Sequence, residues 1–214
     1  IFLHLGGFEH VDLFARENAD GIIPIALIFF GVIMFGGELI SVPFSYYSTF
    51  VIEERFGFNR STGKIFFSDM LKGWVLSALF GSLIISAIIL LYEYLGQDFW
   101  IYAWGLVTAF SVVVNLLYSS IIVPLFNKQT SLEDGILKDQ ISDYAVKVGF
   151  DIKDIFVIDG SKRSSKANAY FSGFGRKKRI TLYDTLINDL EVSEIVAVLA
   201  HEVGHFKRKH IIFN

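Results

Sequence analysis

Apolar positions crowd the first part of the chain and thin out in the last. Three runs carry almost no charge: Gly21–Ile40 up to Glu38, Gly73–Tyr92 throughout, and Phe99–Phe126 throughout. A helix crossing the hydrocarbon core of a bilayer needs about 20 such residues. Three runs so close together are too many for a small soluble core to hide, so they are read as transmembrane helices rather than buried core helices. On this reading residues 1–20 are an extracytoplasmic segment. Residues 21–126 are a membrane region with helices at about 21–40, 73–92 and 99–126 and a loop at 41–72. The 41–72 loop holds Arg55, Arg60, Lys64 and Lys72, whereas Glu93 and Asp98 are the charges between the second and third runs. Basic residues favour the cytoplasmic side, which puts that loop and the C-terminal region there.

From Asn127 the pattern becomes that of a small α/β unit. Ser131, with Asp134 three residues on, is expected to open a helix whose apolar face is Leu137, Ile141, Tyr144, Ala145 and Val148, with Gly149 as its stop. Ile155–Ile158 reads as a short buried strand and Gly160–Lys166 as a polar loop. Asn168–Phe174 and Ile180–Tyr183 flank a basic turn, Arg176–Arg179, and read as a β-hairpin. The turn is read as solvated, with attraction to anionic lipid headgroups as the alternative. A last helix is expected from near Glu191, since Glu191 and Glu194 suit its positive end.

Composition narrows the classes. Residues 1–126 carry 5 Lys/Arg and 10 Asp/Glu, residues 127–214 carry 14 and 12, and the net charge is −3. Nothing there suggests a nucleic-acid partner. With no cysteine, disulfides, Cys-ligated zinc and thiol nucleophiles are excluded. The chain begins at Ile1 without the basic region of a signal peptide.

The chemistry concentrates in His201-Glu202-Val203-Gly204-His205. On a helix, positions i and i+4 share a face, so both imidazoles can reach one metal ion. Zinc accepts nitrogen ligands, and two His supply half a tetrahedral site. Glu202 lies about 100° round the helix, where it can take a proton from an attacking water and later deliver it to the leaving amine. Ile195, Val196, Val198 and Leu199 lead into the motif as a packed helix would. A third ligand is not evident. Position 208 is Arg and position 211 is Ile, which rules out the metzincin pattern. His210 should point about 140° away from His205. His4 and His10 read as solvated or interfacial. The hairpin ahead of the motif offers an edge strand that could pair with an extended peptide, with Asn168, Ala169 and Tyr170 as candidate substrate-binding residues. The Asn168 amide is read as a contact to substrate backbone or a developing oxyanion, or else as a turn cap, with Tyr170 merely packed.

Four stretches together resemble the type I CAAX prenyl proteases, a family of integral-membrane zinc endopeptidases. They are Pro43–Glu54 with Phe56-Gly57-Phe58-Asn59; Pro124–Lys128 with Leu132–Gly135; Gly160–Ser165 with Asn168–Phe171; and Val198–His205. The resemblance implies an α-helical multi-pass membrane protein with a small α+β zincin-like catalytic region. It further implies seven transmembrane helices around an intramembrane chamber, with one zinc per chain near the cytoplasmic end. By resemblance His201 and His205 are metal ligands, Glu202 is the catalytic base, and Asn168, Ala169 and Tyr170 face substrate. The third ligand, a Glu, is expected beyond Asn214, and a further helix before Ile1, so the chain reads as internal to a longer enzyme. The implied partners are the lipid bilayer and a prenylated C-terminal or hydrophobic membrane peptide. The implied membrane is the endoplasmic reticulum or a bacterial plasma membrane. A bacterial quality-control metalloprotease is the alternative within the class. A scaffold with a relict metal site is the alternative outside it, disfavoured by the intact Glu202. A transporter is disfavoured by spans that are nearly free of charge.

Overall fold

The computed structural model describes residues 2–150, 152–172 and 178–207. It divides into two compact units, Ile1–Glu53 with Phe66–Val112, and Glu54–Ile65 with Val113–Asn214.

The first unit is helical. Helix α1 (Gly7–Asn18) lies beside α2 (Ile22–Tyr47), which continues as π-helical turns to Glu53. Helix α3 (Gly63–Leu95) and α4 (Phe99–Leu117) follow, joined by one 3-10 turn. Helices α2 and α3 outrun the apolar stretches that predicted them, whereas the third stretch, 99–126, is not one α-helix: α4 gives way to π-helical turns at Tyr118–Ile122 and a last α-helical turn at Val123–Phe126. Most of the expected 41–72 loop is helical, and only residues 56–62 lie outside helix. Charge marks where an apolar layer ends, but a helix tolerates it. What stops this one is Gly57, at φ 72°, a left-handed turn that glycine adopts without a steric penalty. None of α2, α3 and α4 has a buried residue. Their hydrogen-bonded backbones need no water, which is the condition for surrounding them with lipid. Aromatic contacts link them, Phe35 to Trp74 at 5.1 Å and Phe80 to Phe110 at 5.6 Å between ring centroids.

The second unit holds a four-stranded sheet ordered β1-β2-β4-β3, from strands Gln129–Ser131, Ile152–Ile158, Ala169–Ser172 and Lys178–Tyr183 in chain order. Strands β2 and β4 are parallel, and β1 and β3 pair antiparallel at the two edges. The expected hairpin is β3 against β4, with Ala169 opposite Leu182 and Phe171 opposite Ile180. Four-residue α5 (Val123–Phe126) leads into the sheet, and α6 (Ile136–Lys147), α7 (Asp184–Asp189) and α8 (Val192–Lys207) belong to this unit. The core joins Ile141 of α6, Ile155, Ala169, Ile180 and Leu182 of the sheet, Leu186 of α7, and Ile195 and Leu199 of α8. Each of its isoleucines and leucines contributes about 1.5–3 kcal/mol by leaving water.

One helix start is corrected. Ser131 does not open α6; it pairs with Phe156 in β1, and the Leu132 N–H donates to the Ile155 carbonyl at 2.9 Å. The sheet offers those residues backbone partners, which overrides a local capping signal, so the helix begins at Ile136 after an extended Gly135. Gly149 follows the helix end with φ 61°, as its stop signal required. Helix α7 was not anticipated; it is short, and no apolar repeat marks it.

Candidate metal and peptide site

Helix α8 carries the His-Glu motif. Its first turn is closed by Glu194, whose carboxylate accepts the Glu191 N–H at 2.8 Å, one half of a capping box. Ile195, Leu199 and Val203, spaced by four, are all buried and hold one face of the helix on the core. Two positions past Leu199 the helix has turned through more than half a circle. His201 is accordingly exposed, and Glu202 beside it is half-buried. His205 lies four positions on within the same helix, and its side chain is outside the described residues. The i, i+4 spacing on a continuous helix fits two nitrogen donors to one metal ion. Among the described residues no group of three or more His, Asp and Glu side chains gathers into a metal site. Positions 208–214, with His210, lie outside the described residues. His10 is exposed and bonds the Gly6 carbonyl within α1, away from any such role.

Strand β3 packs near α8, with Ala169 in the same core as Ile195 and Leu199. It is the terminal strand of the sheet. The hydrogen bond from Tyr183 N–H to the Asn168 carbonyl, at 3.0 Å, fixes which peptide groups face inward. In an antiparallel pair these alternate, so Asn168, Tyr170 and Ser172 turn their backbone groups toward β4, and Ala169 and Phe171 turn theirs to the outer edge. The side chains alternate too. Ala169 and Phe171 pack on the core with α8, which leaves Asn168 and Tyr170 on the opposite face.

The three expected substrate residues therefore differ in kind. Ala169 presents backbone. The Asn168 side chain bends back to its own strand, where its Oδ1 accepts the Ala169 N–H at 2.8 Å. Among the described residues the buried Tyr170 hydroxyl has no partner at hydrogen-bond distance; burial raises its pKa, and the nearby Thr181 hydroxyl offsets part of that rise. Burial raises Tyr183 likewise. Phe171, whose backbone also faces the edge, was missed; strand alternation gives it only once the register with β4 is known.

The segment leading into β3 is braced by a residue the sequence did not single out. The Asp184 carboxylate accepts the Ser161 N–H at 2.8 Å and hydroxyl, and the Thr185 N–H at 2.9 Å. The buried Thr185 hydroxyl in turn donates to the Lys166 carbonyl at 3.0 Å.

Known proteins can now be set beside this arrangement. Residues 1–128 match the family described as CAAX prenyl protease N-terminal, five membrane helices, and residues 131–214 match peptidase family M48. The chain belongs to the CAAX prenyl protease family. It is 45% identical over 201 residues to the CAAX prenyl protease 1 homolog of Oryza sativa subsp. japonica, covering 94% of this chain and 47% of that protein. It is 43% identical over 188 residues to CAAX prenyl protease 1 of Saccharomyces cerevisiae, covering 87% and 42%. The crystal structure of S. mikatae Ste24p superposes with a TM-score of 0.91 at 40% identity, covering 99% of this chain and 51% of that one. The chain thus spans about half the length of the relatives it matches. Family membership makes it part of a multi-pass integral membrane protein whose fold joins membrane helices to a small α+β region. Members of this peptidase family use a metal ion.

Proposed function

We propose that this chain carries the catalytic half-site of a membrane-embedded zinc metalloendopeptidase that cleaves near prenylated CAAX C-termini. Its exposed His201 and the adjacent His205 position would hold one zinc ion, with a third ligand from elsewhere in the protein. Zinc bound there would polarise the scissile carbonyl and make an attacking water more acidic. Glu202 accepts the proton of that water and returns it to the leaving amine. The peptide adds to the sheet along β3, hydrogen-bonding the outward backbone groups of Ala169 and Phe171, and the Asn168 side chain yields the Ala169 N–H when it does so. Asn168 and Tyr170 support that edge from the far face.

The observation that supports this reading best is the nearness of α8 to the terminal strand of the described sheet, with the helix face of His201 turned away from the core. A prenylated rather than a generally hydrophobic substrate is favoured by relatives named CAAX prenyl protease 1 in a plant and a yeast. The same eukaryotic relatives favour the endoplasmic reticulum over a bacterial plasma membrane. Residues 54–65 and the α8 region lie on the cytoplasmic side on this reading, which their basic residues support.

Replacing Glu202 by Gln in the full-length protein tests the mechanism. Cleavage of a farnesylated CAAX peptide should fall by roughly a thousandfold or more while zinc stays bound at wild-type stoichiometry. Cleavage at near wild-type rate would refute the role given to Glu202, and cleavage of an unprenylated apolar peptide at equal efficiency would refute the substrate class.

A further inference from the structure

Residues 160–168 carry the chain from β2 to the edge strand β3. Asp184 and Thr185 hold this segment on one side. On the other it is sewn to residues 57–61, which join the helical stretch ending in α2's π turns to α3. Ser165 donates through its N–H to the Phe58 carbonyl and through its hydroxyl to the Gly57 carbonyl, both at 2.9 Å. Asn59 and Ser164 form a one-residue antiparallel bridge, and the Arg60 N–H donates to the Arg163 carbonyl at 3.0 Å. The Lys166 ammonium lies 5.0 Å from the centre of the Phe58 ring.

The Arg163 side chain closes the seam at a third corner. Its Nη1 donates to Asn127 Oδ1 at 2.7 Å and its Nη2 to the carbonyl of Phe126, the last residue of α5. A guanidinium is a rigid planar fork, and here its two tines hold two acceptors from consecutive residues at once. The carbonyls that end a helical stretch lack partners within it and attract positive charge. One side chain therefore ties the end of α5 to the run-in to β3, and its backbone ties that run-in to the 57–61 loop.

We propose that Arg163 is a positioning residue for peptide capture. It sets the register and stiffness of the open β3 edge six residues downstream. The proposal rests on the reading of β3 as the peptide-pairing strand. Because Arg163 acts through that strand, its loss falls on substrate binding rather than on the proton transfers of Glu202.

The test uses the zinc-loaded full-length protein and a farnesylated CAAX peptide, with kcat and KM measured separately for wild type, Arg163→Lys, Asn127→Ala and the double variant. Lysine keeps the charge and loses the fork. Arg163→Lys should raise KM about tenfold with kcat within about twofold. Asn127→Ala should raise KM by a smaller factor, and the double variant should be no worse than Arg163→Lys, since both remove one hydrogen bond. Amide exchange at Tyr170 and Ser172, whose N–H groups face β4, should quicken in each variant, with zinc content unchanged. If Arg163→Lys does not fold, Asn127→Ala, which spares the bond to Phe126, carries the same KM prediction. An unchanged KM in both single variants, a fall in kcat alone, or effects that multiply in the double variant would overturn the proposal. A wild type that does not cleave the peptide would overturn the peptidase reading instead. Exchange then decides on Arg163 by itself: faster exchange supports its hold on the strand, and unchanged exchange refutes it.

Discussion

Leu79 of α3 and Leu199 of α8 are the same residue in the same secondary structure, yet the first is 60% exposed and the second 1%. The difference lies in their neighbours. Around Leu79 the sequence is apolar on every side, so no rotation of the helix can offer water a polar face. Around Leu199 the apolar positions recur every fourth residue, His201 takes the opposite face, and half-buried Glu202 lies at the margin of the packed stripe. Hydrophobicity without a period addresses a lipid or protein environment outside the helix. Hydrophobicity with a period addresses the helix's own core. The second unit can therefore orient the His-Glu motif by packing, because burying Ile195, Leu199 and Val203 fixes where His201 must point.

The sharpest way to break this contrast is to truncate both leucines. Leu199→Ala should cost about 2–5 kcal/mol, the usual range for a leucine removed from a packed core. Leu79→Ala should stay within about 0.5 kcal/mol, since most of that side chain stands outside the packing of its unit. Thermal unfolding of each full-length variant in the same detergent gives the comparison. Equal shifts would mean that Leu79 is packed against protein in the complete enzyme, and the α3 face near it would then belong to a chamber wall rather than to the lipid boundary.

Tyr170 gives a smaller effect within the second unit. Among the described residues its buried hydroxyl has no partner at hydrogen-bond distance, an arrangement that costs free energy rather than supplying it. Tyr170→Phe should leave stability at neutral pH unchanged or raise it by up to about 1 kcal/mol. The pH dependence adds a sign. Burial raises the folded-state pKa above the ordinary value near 10. The fold's preference for the neutral phenol is therefore fully present below pH 10 and is lost as pH climbs through the folded pKa. The phenylalanine variant should lose part of the alkaline fall in stability. A fall identical to wild type would mean that Tyr170 stays protonated in the unfolding range or is solvated.

How much of this was legible beforehand follows from how local each signal is. The motif in α8, the hairpin and the apolar runs are short-range patterns, and all three appear where their residues predicted elements. Signals that depend on a distant partner misled or were silent. Ser131 looked like a cap because its real partner, Phe156, lies 25 positions away in sequence. Arg163 stood inside the Gly160–Ser165 stretch without a role of its own, and Asp184 carried no pattern, since their acceptors and donors lie 37 and 23 positions off. The edge-facing backbone of Phe171 needed the strand register. The lengths of α2 and α3 were underestimated because charge was taken to end a helix when it ends only an apolar layer, and nothing in the third apolar run announced the π-helical turns that end α4.

The smallest effect concerns Asp134, the other half of the misread cap. Its carboxylate accepts from Lys138 Nζ at 2.6 Å, one helical turn on, and this hydrogen bond and charge hold its pKa below the ordinary carboxylate value. A depressed pKa contributes stability that is present above the unfolded value, near 4, and is lost as pH falls through the folded one. The Asp134 side chain is fully solvated, so water and salt screen the pair. Asp134→Asn should therefore leave thermal stability unchanged at pH 7, while carboxyl NMR of Lys138→Ala should show Asp134 titrating back at its ordinary value. A measurable loss of stability at pH 7 would mean that the pair helps to start α6 at Ile136, and the polar surface of the second unit would then share in the positioning work assigned here to its apolar core.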